Sequence, residues 1–128
     1  MNAKLLIYLA AATMLLASCQ KEAEVRVTNK ISNVSISNMY LGKNLLITSG
    51  SLLPGERTDR IVKAMEGEDG FPFKSHLEFH MSNGGNTVFL KTLEIFELRE
   101  GGFLNVELTN ETEVYNPMTG TAMAIGRQ

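Results

Sequence analysis

The chain has 128 residues, with 12 basic and 14 acidic side chains for a formal charge of −2, one cysteine and no tryptophan. That length accommodates one ordinary domain, and the absence of a basic cluster that could neutralise phosphates argues against nucleic acid as a partner. A single thiol excludes an internal disulfide, so stability has to come from the core.

Lys4 precedes an uncharged run over residues 5–16, LLIYLAAATMLL. This is the length of a secretory core, and it falls short of the roughly 20 apolar residues that span a bilayer. The next four residues, Leu16-Ala17-Ser18-Cys19, resemble the lipobox of bacterial lipoproteins. The resemblance implies that Cys19 is the lipid attachment site, that its sulfur takes a diacylglyceryl group, and that the signal is cleaved between Ser18 and Cys19. It also implies that the freed amine is acylated, commonly with palmitate. The chemistry suits these residues. Small Ala17 and Ser18 let a protease approach the backbone, the thiolate is the strongest nucleophile available, and durable anchoring needs more than one acyl chain. Gln20-Lys21-Glu22-Ala23-Glu24 further resembles the short acidic tag of surface-displayed lipoproteins of Bacteroidota. As plain chemistry, residues 19–24 are a charged tether beside the membrane. The implied location is the bacterial cell envelope, lipid-anchored at the outer membrane, with the periplasmic side and the cell surface both open as the side of display. Removing the first 18 of the 128 residues leaves 110, with 11 basic and 14 acidic side chains and a formal charge of −3.

Helix signals are nearly missing beyond residue 24, whereas short alternating runs broken by Gly, Pro and Asn recur. Val25 and Val27 alternate with Arg26 and Thr28. Ile31, Val34, Ile36, Met39 and Leu41, then Leu45 and Ile47, read as two strands joined near Gly42-Lys43-Asn44. Leu53-Pro54-Gly55-Glu56 predicts a type II turn, because proline presets one φ and glycine accepts the positive one. Residues 58–65 form a further strand with Ile61 and Lys63 on one face and Val62 and Ala64 on the other. Phe73, Ser75, Leu77, Phe79 and Met81 share a strand face opposite Lys74, His76, Glu78 and His80. A Gly84-Gly85 loop after that strand sets Met81 against Val88, Phe79 against Leu90 and Glu78 against Lys91; an Asn83-Gly84 loop is the rival.

The run over residues 87–99 exceeds a usual strand, and its alternation changes phase at residues 92–94, which predicts a bulge or a crossing between sheets. A three-residue loop, Glu100 to Gly102, with a left-handed glycine would then pair Leu98 with Leu104 and Phe96 with Val106. Residues 111–115 are a short last strand, stopped by Asn116-Pro117. The low-charge residues 118–128 read as a loose tail in preference to an edge strand over residues 122–125. The expectation is an all-β, antiparallel two-sheet sandwich of immunoglobulin-like type over residues 25–117. In pattern this segment resembles small uncharacterised lipoproteins of Bacteroidota, through the Val-rich strand ending in Asn29, the Leu53-Pro54-Gly55-Glu56 turn and the closing Thr112-Glu113-Val114-Tyr115-Asn116-Pro117.

Candidate sites are few. His76 and His80, four residues apart on a strand, stand roughly 13 Å apart and cannot hold one metal ion together, and Glu78 with either supplies two ligands where a catalytic zinc wants three. The acidic stretch Glu66-Gly67-Glu68-Asp69-Gly70 lacks the alternating ligand ladder of a calcium loop. Asn33-Val34-Ser35 and Asn110-Glu111-Thr112 match the glycosylation triplet by chance in a bacterial chain. No nucleophile elbow or phosphate loop occurs. The expectation is therefore no catalytic residue, metal or cofactor. It is a membrane-anchored, non-catalytic sandwich that binds a protein or glycan partner, with Tyr40, Phe71, Phe89 and Tyr115 as the available aromatics and a protein partner favoured. The alternative is a structural subunit joining its neighbours by strand addition through the uncharged residues 118–126.

Overall fold

The computed structural model describes residues 22–47, 49–63 and 70–127. The signal segment, Ser18 and Cys19, and the acidic Glu66, Glu68 and Asp69 lie outside the described residues. In chain order the strands are β1 (Glu22–Lys30), β2 (Ser35–Leu41), β3 (Asn44–Leu45), β4 (Arg57–Lys63), β5 (Phe73–Ser75), β6 (Leu77–Asn83), β7 (Asn86–Thr92), β8 (Phe96–Leu98), β9 (Phe103–Thr109), β10 (Glu113–Asn116) and β11 (Thr121–Ala124), closed by a 3-10 turn over Ile125–Arg127.

These strands build an all-β sandwich. Six of them form one sheet in the order β11-β10-β7-β6-β2-β3, three form a second in the order β4-β1-β9, and β5 and β8 make a short ladder of their own. Alternation dictates the core. Val25 and Val27 of β1, Val62 of β4 and Val106 and Leu108 of β9 meet Ile36, Leu41, Leu77, Phe79, Leu90 and Val114 of the larger sheet in one buried cluster. All ladders are antiparallel except β1 with β9, which run parallel. A six-plus-three division with a parallel pair does not by itself identify an immunoglobulin-type strand order.

The β6–β7 hairpin has the Gly84-Gly85 register, with Glu78 opposite Lys91, Phe79 opposite Leu90 and Met81 opposite Val88. The phase change after it is a crossing. β6 and β7 continue past a kink as β5 and β8, which pair Phe73 with Leu98 and Ser75 with Phe96. Thr92 sits buried at that kink, where its hydroxyl accepts the Leu77 N–H and donates to the Glu94 carbonyl, both at 2.9 Å. The side chain thereby stands in for ladder bonds that the kink removes.

Three expectations need correction. Leu98 does not face Leu104, nor Phe96 Val106, because β8 pairs with β5 and β9 with β1. The left-handed glycine is there, Gly101 at φ 70°, in a tight turn closed by Gly102 N–H to Arg99 C=O. This turn hands the chain from one sheet to the other. It is bonded to β1 through Gly101 N–H to Glu22 C=O and Glu24 N–H to Gly102 C=O. Alternation tells which face of a strand is buried and is silent about which strand lies beside it. Second, β1 starts at Glu22, so the last residues assigned to the tether are strand, and Ala23 extends the buried row of Val25 and Val27. Third, the tail contains β11, paired with β10 from Glu113 opposite Ala124 to Asn116 opposite Thr121.

Where β1 ends, Asn29 is fully buried and bonded on every side. Its amide nitrogen donates to the Val34 and Leu52 carbonyls at 3.0 and 2.9 Å, and its side-chain oxygen accepts the Ile31 N–H at 3.0 Å. Its backbone bonds Glu56 and Gly55. Those two residues belong to the expected type II turn, closed by Glu56 N–H to Leu53 C=O with Gly55 at φ 87°. Asn29→Ala strips buried partners of their bonds and is expected to cost about 2–4 kcal/mol. Asn29→Asp does not rescue it, since a carboxylate cannot donate to two carbonyls. Urea unfolding midpoints of the three proteins check this.

Candidate functional site

The six-stranded sheet turns one face to the core and leaves the other open. Register places Leu45, Tyr40, Glu78, Lys91, Tyr115 and Ala122 in one row across that outer face, each opposite the next on the neighbouring strand. The adjacent row carries Ser37, His80 and Phe89. Three of the four aromatics expected to be available, Tyr40, Phe89 and Tyr115, therefore come together from strands β2, β7 and β10. Phe71 does not join them; it stacks on Phe73 at 5.9 Å and packs against the core.

The geometry is that of a flat platform. Tyr40 and Tyr115 are 40% and 36% exposed, and three strand spacings separate them, roughly 14 Å. Between them Lys91 Nζ and Glu78 Oε1 pair at 3.3 Å. Phe89 lies against the His80 ring, centroids 5.2 Å apart and tilted by 48°. His80 Nδ1 is buried and has no hydrogen-bond partner among the described residues.

The histidines separate by role. His76 lies at the kink between β5 and β6, and its Nδ1–H donates to the Thr92 carbonyl at 2.6 Å. Glu78 is occupied by Lys91. The His76-Glu78-His80 run thus divides between a backbone clamp, an ion pair and an aromatic contact, and no group of three His, Cys, Asp or Glu with metal-binding geometry exists among the described residues.

Tyr40 reaches the outer face because of a bulge. Ser37 pairs with His80 and Tyr40 with Glu78, so β2 carries one extra residue at this point. Asn38 absorbs it at φ 48°. The extra residue lets Ile36, Met39 and Leu41 all point inward and aims Tyr40 outward, the re-aiming function of a bulge. The signal is legible in the spacing of those apolar residues, three and then two.

Two concave features lie at the ends of β1. One cavity of about 210 Å³ is lined by Lys43, Lys63 and Lys74 with Phe73 and Ser75. Another of about 280 Å³, at the opposite end of β1, has Asn83, Asn86 and Asn110 above Ile31, Met81 and Val88. Among the described residues neither lining includes a histidine or a carboxylate.

The outer face of the three-stranded sheet is charged. Arg26 Nε meets Asp59 Oδ1 at 2.5 Å while its guanidinium lies 5.2 Å over the Phe103 ring, and Arg57 stands 3.5 Å from the other Asp59 oxygen. The hydrogen bond from Arg26 holds the Asp59 carboxyl below its ordinary pKa against an opposing desolvation, and the charges of Arg26 and Arg57 add to the lowering.

No family model, curated protein or solved structure matches the chain.

Two outcomes follow from this geometry. Asn38→Gly retains the stability of the parent or adds to it, whereas Asn38→Val costs about 1–2 kcal/mol because a β-branched residue resists the left-handed region; urea midpoints separate the two. Asp59 has a depressed folded pKa, so its contribution to stability is complete above the unfolded value of about 3.9 and is lost as pH falls through the folded one. Asp59→Asn is thus less stable than the parent at neutral pH, and the gap closes in acid. Unfolding midpoints across pH and a carboxyl NMR titration test this.

Proposed function

We propose that this protein is a lipid-anchored, non-catalytic lipoprotein of the bacterial cell envelope, held at the outer membrane by lipid on Cys19, that binds a protein or glycan partner through the outer face of its six-stranded sheet. The observation that carries the binding role is the gathering of Tyr40, Phe89 and Tyr115 around the Glu78–Lys91 pair on one open face. Tyrosine offers a large, rigid contact surface at little entropic cost, and its hydroxyl keeps that surface compatible with water. The central ion pair favours a protein partner, because it can be matched by opposite charges across an interface.

The anchor is supported by Leu16-Ala17-Ser18-Cys19 and by how close it lies to the domain. Gln20 and Lys21 alone separate Cys19 from Glu22, the first residue of β1. Fully extended, that link spans about 10 Å. A domain so closely tethered has a defined near end, the one with the Arg99–Gly102 turn that bonds Glu22 and Glu24. The sheet face, standing along the strands, stays accessible from the side.

Both halves are testable in cells producing the full chain. Palmitate is incorporated into the parent and lost in Cys19→Ser, and globomycin makes a larger precursor accumulate; an unlabelled parent that fractionates as soluble protein removes the anchor. A photo-reactive residue at Ser37 crosslinks to a partner, and the crosslink disappears with Tyr40→Ala and Tyr115→Ala together while the urea midpoint holds. Equal crosslinking from Thr109, on the other sheet, removes the face.

A further inference from the structure

The geometry points to β11 as a self-pairing edge, through which a second copy of this chain adds antiparallel to form one continuous sheet. The case begins with the edges. β4 carries Arg57, Asp59, Arg60 and Lys63, β9 carries Glu107, and β3 is two residues long. Charge and brevity are the devices that stop strands from pairing further. β11 is Thr-Ala-Met-Ala, without a charge or a proline, at the end of the larger sheet.

The direction of its backbone groups can be read from its neighbours. Glu113 C=O accepts the Leu93 N–H, and Ile125 N–H donates to Thr112 C=O. Alternation then turns Thr121 and Met123 toward β10 and directs the N–H and C=O of Ala122 and Ala124 away from the sheet. An identical strand approaching in the antiparallel sense meets small side chains at both positions and no like charge.

One register satisfies these groups within the strand. Setting Ala122 of each copy opposite Ala124 of the other pairs outward groups with outward groups, two bonds at each position and four in all. Slipping the register by one residue, which moves the centre by half a residue, opposes outward groups to inward ones. Centring on Ala122 instead would bring in Gly120, which sits in a turn at φ 72°, and centring on Ala124 would bring in Gly126 of the 3-10 turn. The favoured register sets Met123 opposite Met123 as a non-hydrogen-bonded pair, with Cα atoms about 4.5 Å apart.

A four-residue ladder buries well below the roughly 800 Å² per partner of a stable dimer. The pairing is therefore weak in dilute solution and strong where copies are concentrated, as tethering to one membrane would do. It does not depend on the anchor or on the aromatic face.

The test uses the full chain in mild detergent at high concentration, in a Cys19→Ser background so that any introduced cysteine is the sole thiol. Met123→Cys places two sulfurs at disulfide distance across the axis and is expected to give a covalent dimer under mild oxidation. Met118→Cys, at an 88% exposed turn position, reports random collision and is expected to stay monomeric. Adding Ala122→Pro deletes an outward N–H without touching the ladder to β10, so the dimer is lost while the unfolding midpoint is kept; Ala124→Pro serves if Ala122→Pro unfolds. Equal dimer from Met118→Cys, or dimer that survives proline at folded protein, overturns the pairing.

Discussion

Two sheets without a disulfide between them must be held in relative place by groups that belong to both, and Asn29 is the main such group. It ends β1 of the smaller sheet, and its side chain bonds the entry to β2 and the Leu52 segment that runs beside it. Its backbone meanwhile pins the Pro54-Gly55 turn leading to β4. An amide is well suited to this position, since it offers two donors and an acceptor without the desolvation cost of a charge. Its burial is tolerable because every polar atom is answered. With this corner closed, β1 can serve as the centre of the three-stranded sheet, flanked by β4 on one side and β9 on the other.

A second constraint operates at the kink between the two ladders, where the ribbon β6–β7 becomes β5–β8. A twisted sheet cannot extend indefinitely over a small core, and a ribbon that kinks wraps its far end around the sandwich. Thr92 and His76 satisfy the backbone groups exposed there. The kink delivers Leu98 to the core and brings the Arg99–Gly102 turn to the start of β1. The parallel β1–β9 pair is the consequence.

The outer faces of the two sheets are chemically different. The smaller sheet is covered with matched charges, among them Arg26 with Asp59 and Lys30 with Glu107, which suits a solvated surface. The larger sheet shows aromatic rings around the Glu78–Lys91 ion pair and ends in an uncharged edge. Surfaces of this second kind exclude water poorly on their own, so they gain most from being covered. The bulge at Asn38 adds to that character by exchanging a methionine for a tyrosine on the open side.

Alternation along each strand sufficed to assign the faces, as with Leu77, Phe79 and Met81 inside and Glu78 and His80 outside. Turn chemistry placed the reversals at Gly84-Gly85, where the partner strand is next in sequence, and at Pro54-Gly55, where it is not and β4 goes on to pair with β1. The aromatics Tyr40, Phe89 and Tyr115 could be picked out one by one from residue type. Their meeting could not, because a row across a sheet is a property of strand order, and strands distant in sequence leave no mark on each other's pattern. The same reason hid the β5–β8 and β1–β9 pairs; β11 pairs with β10, the strand just before it, and escaped notice because Thr-Ala-Met-Ala is short and shows no alternation of apolar and polar residues. Local periodicity is set by which side of a strand meets water, and is written residue by residue; neighbourhood is set by which edges remain open after every other strand has found its place, and only the folded chain decides that.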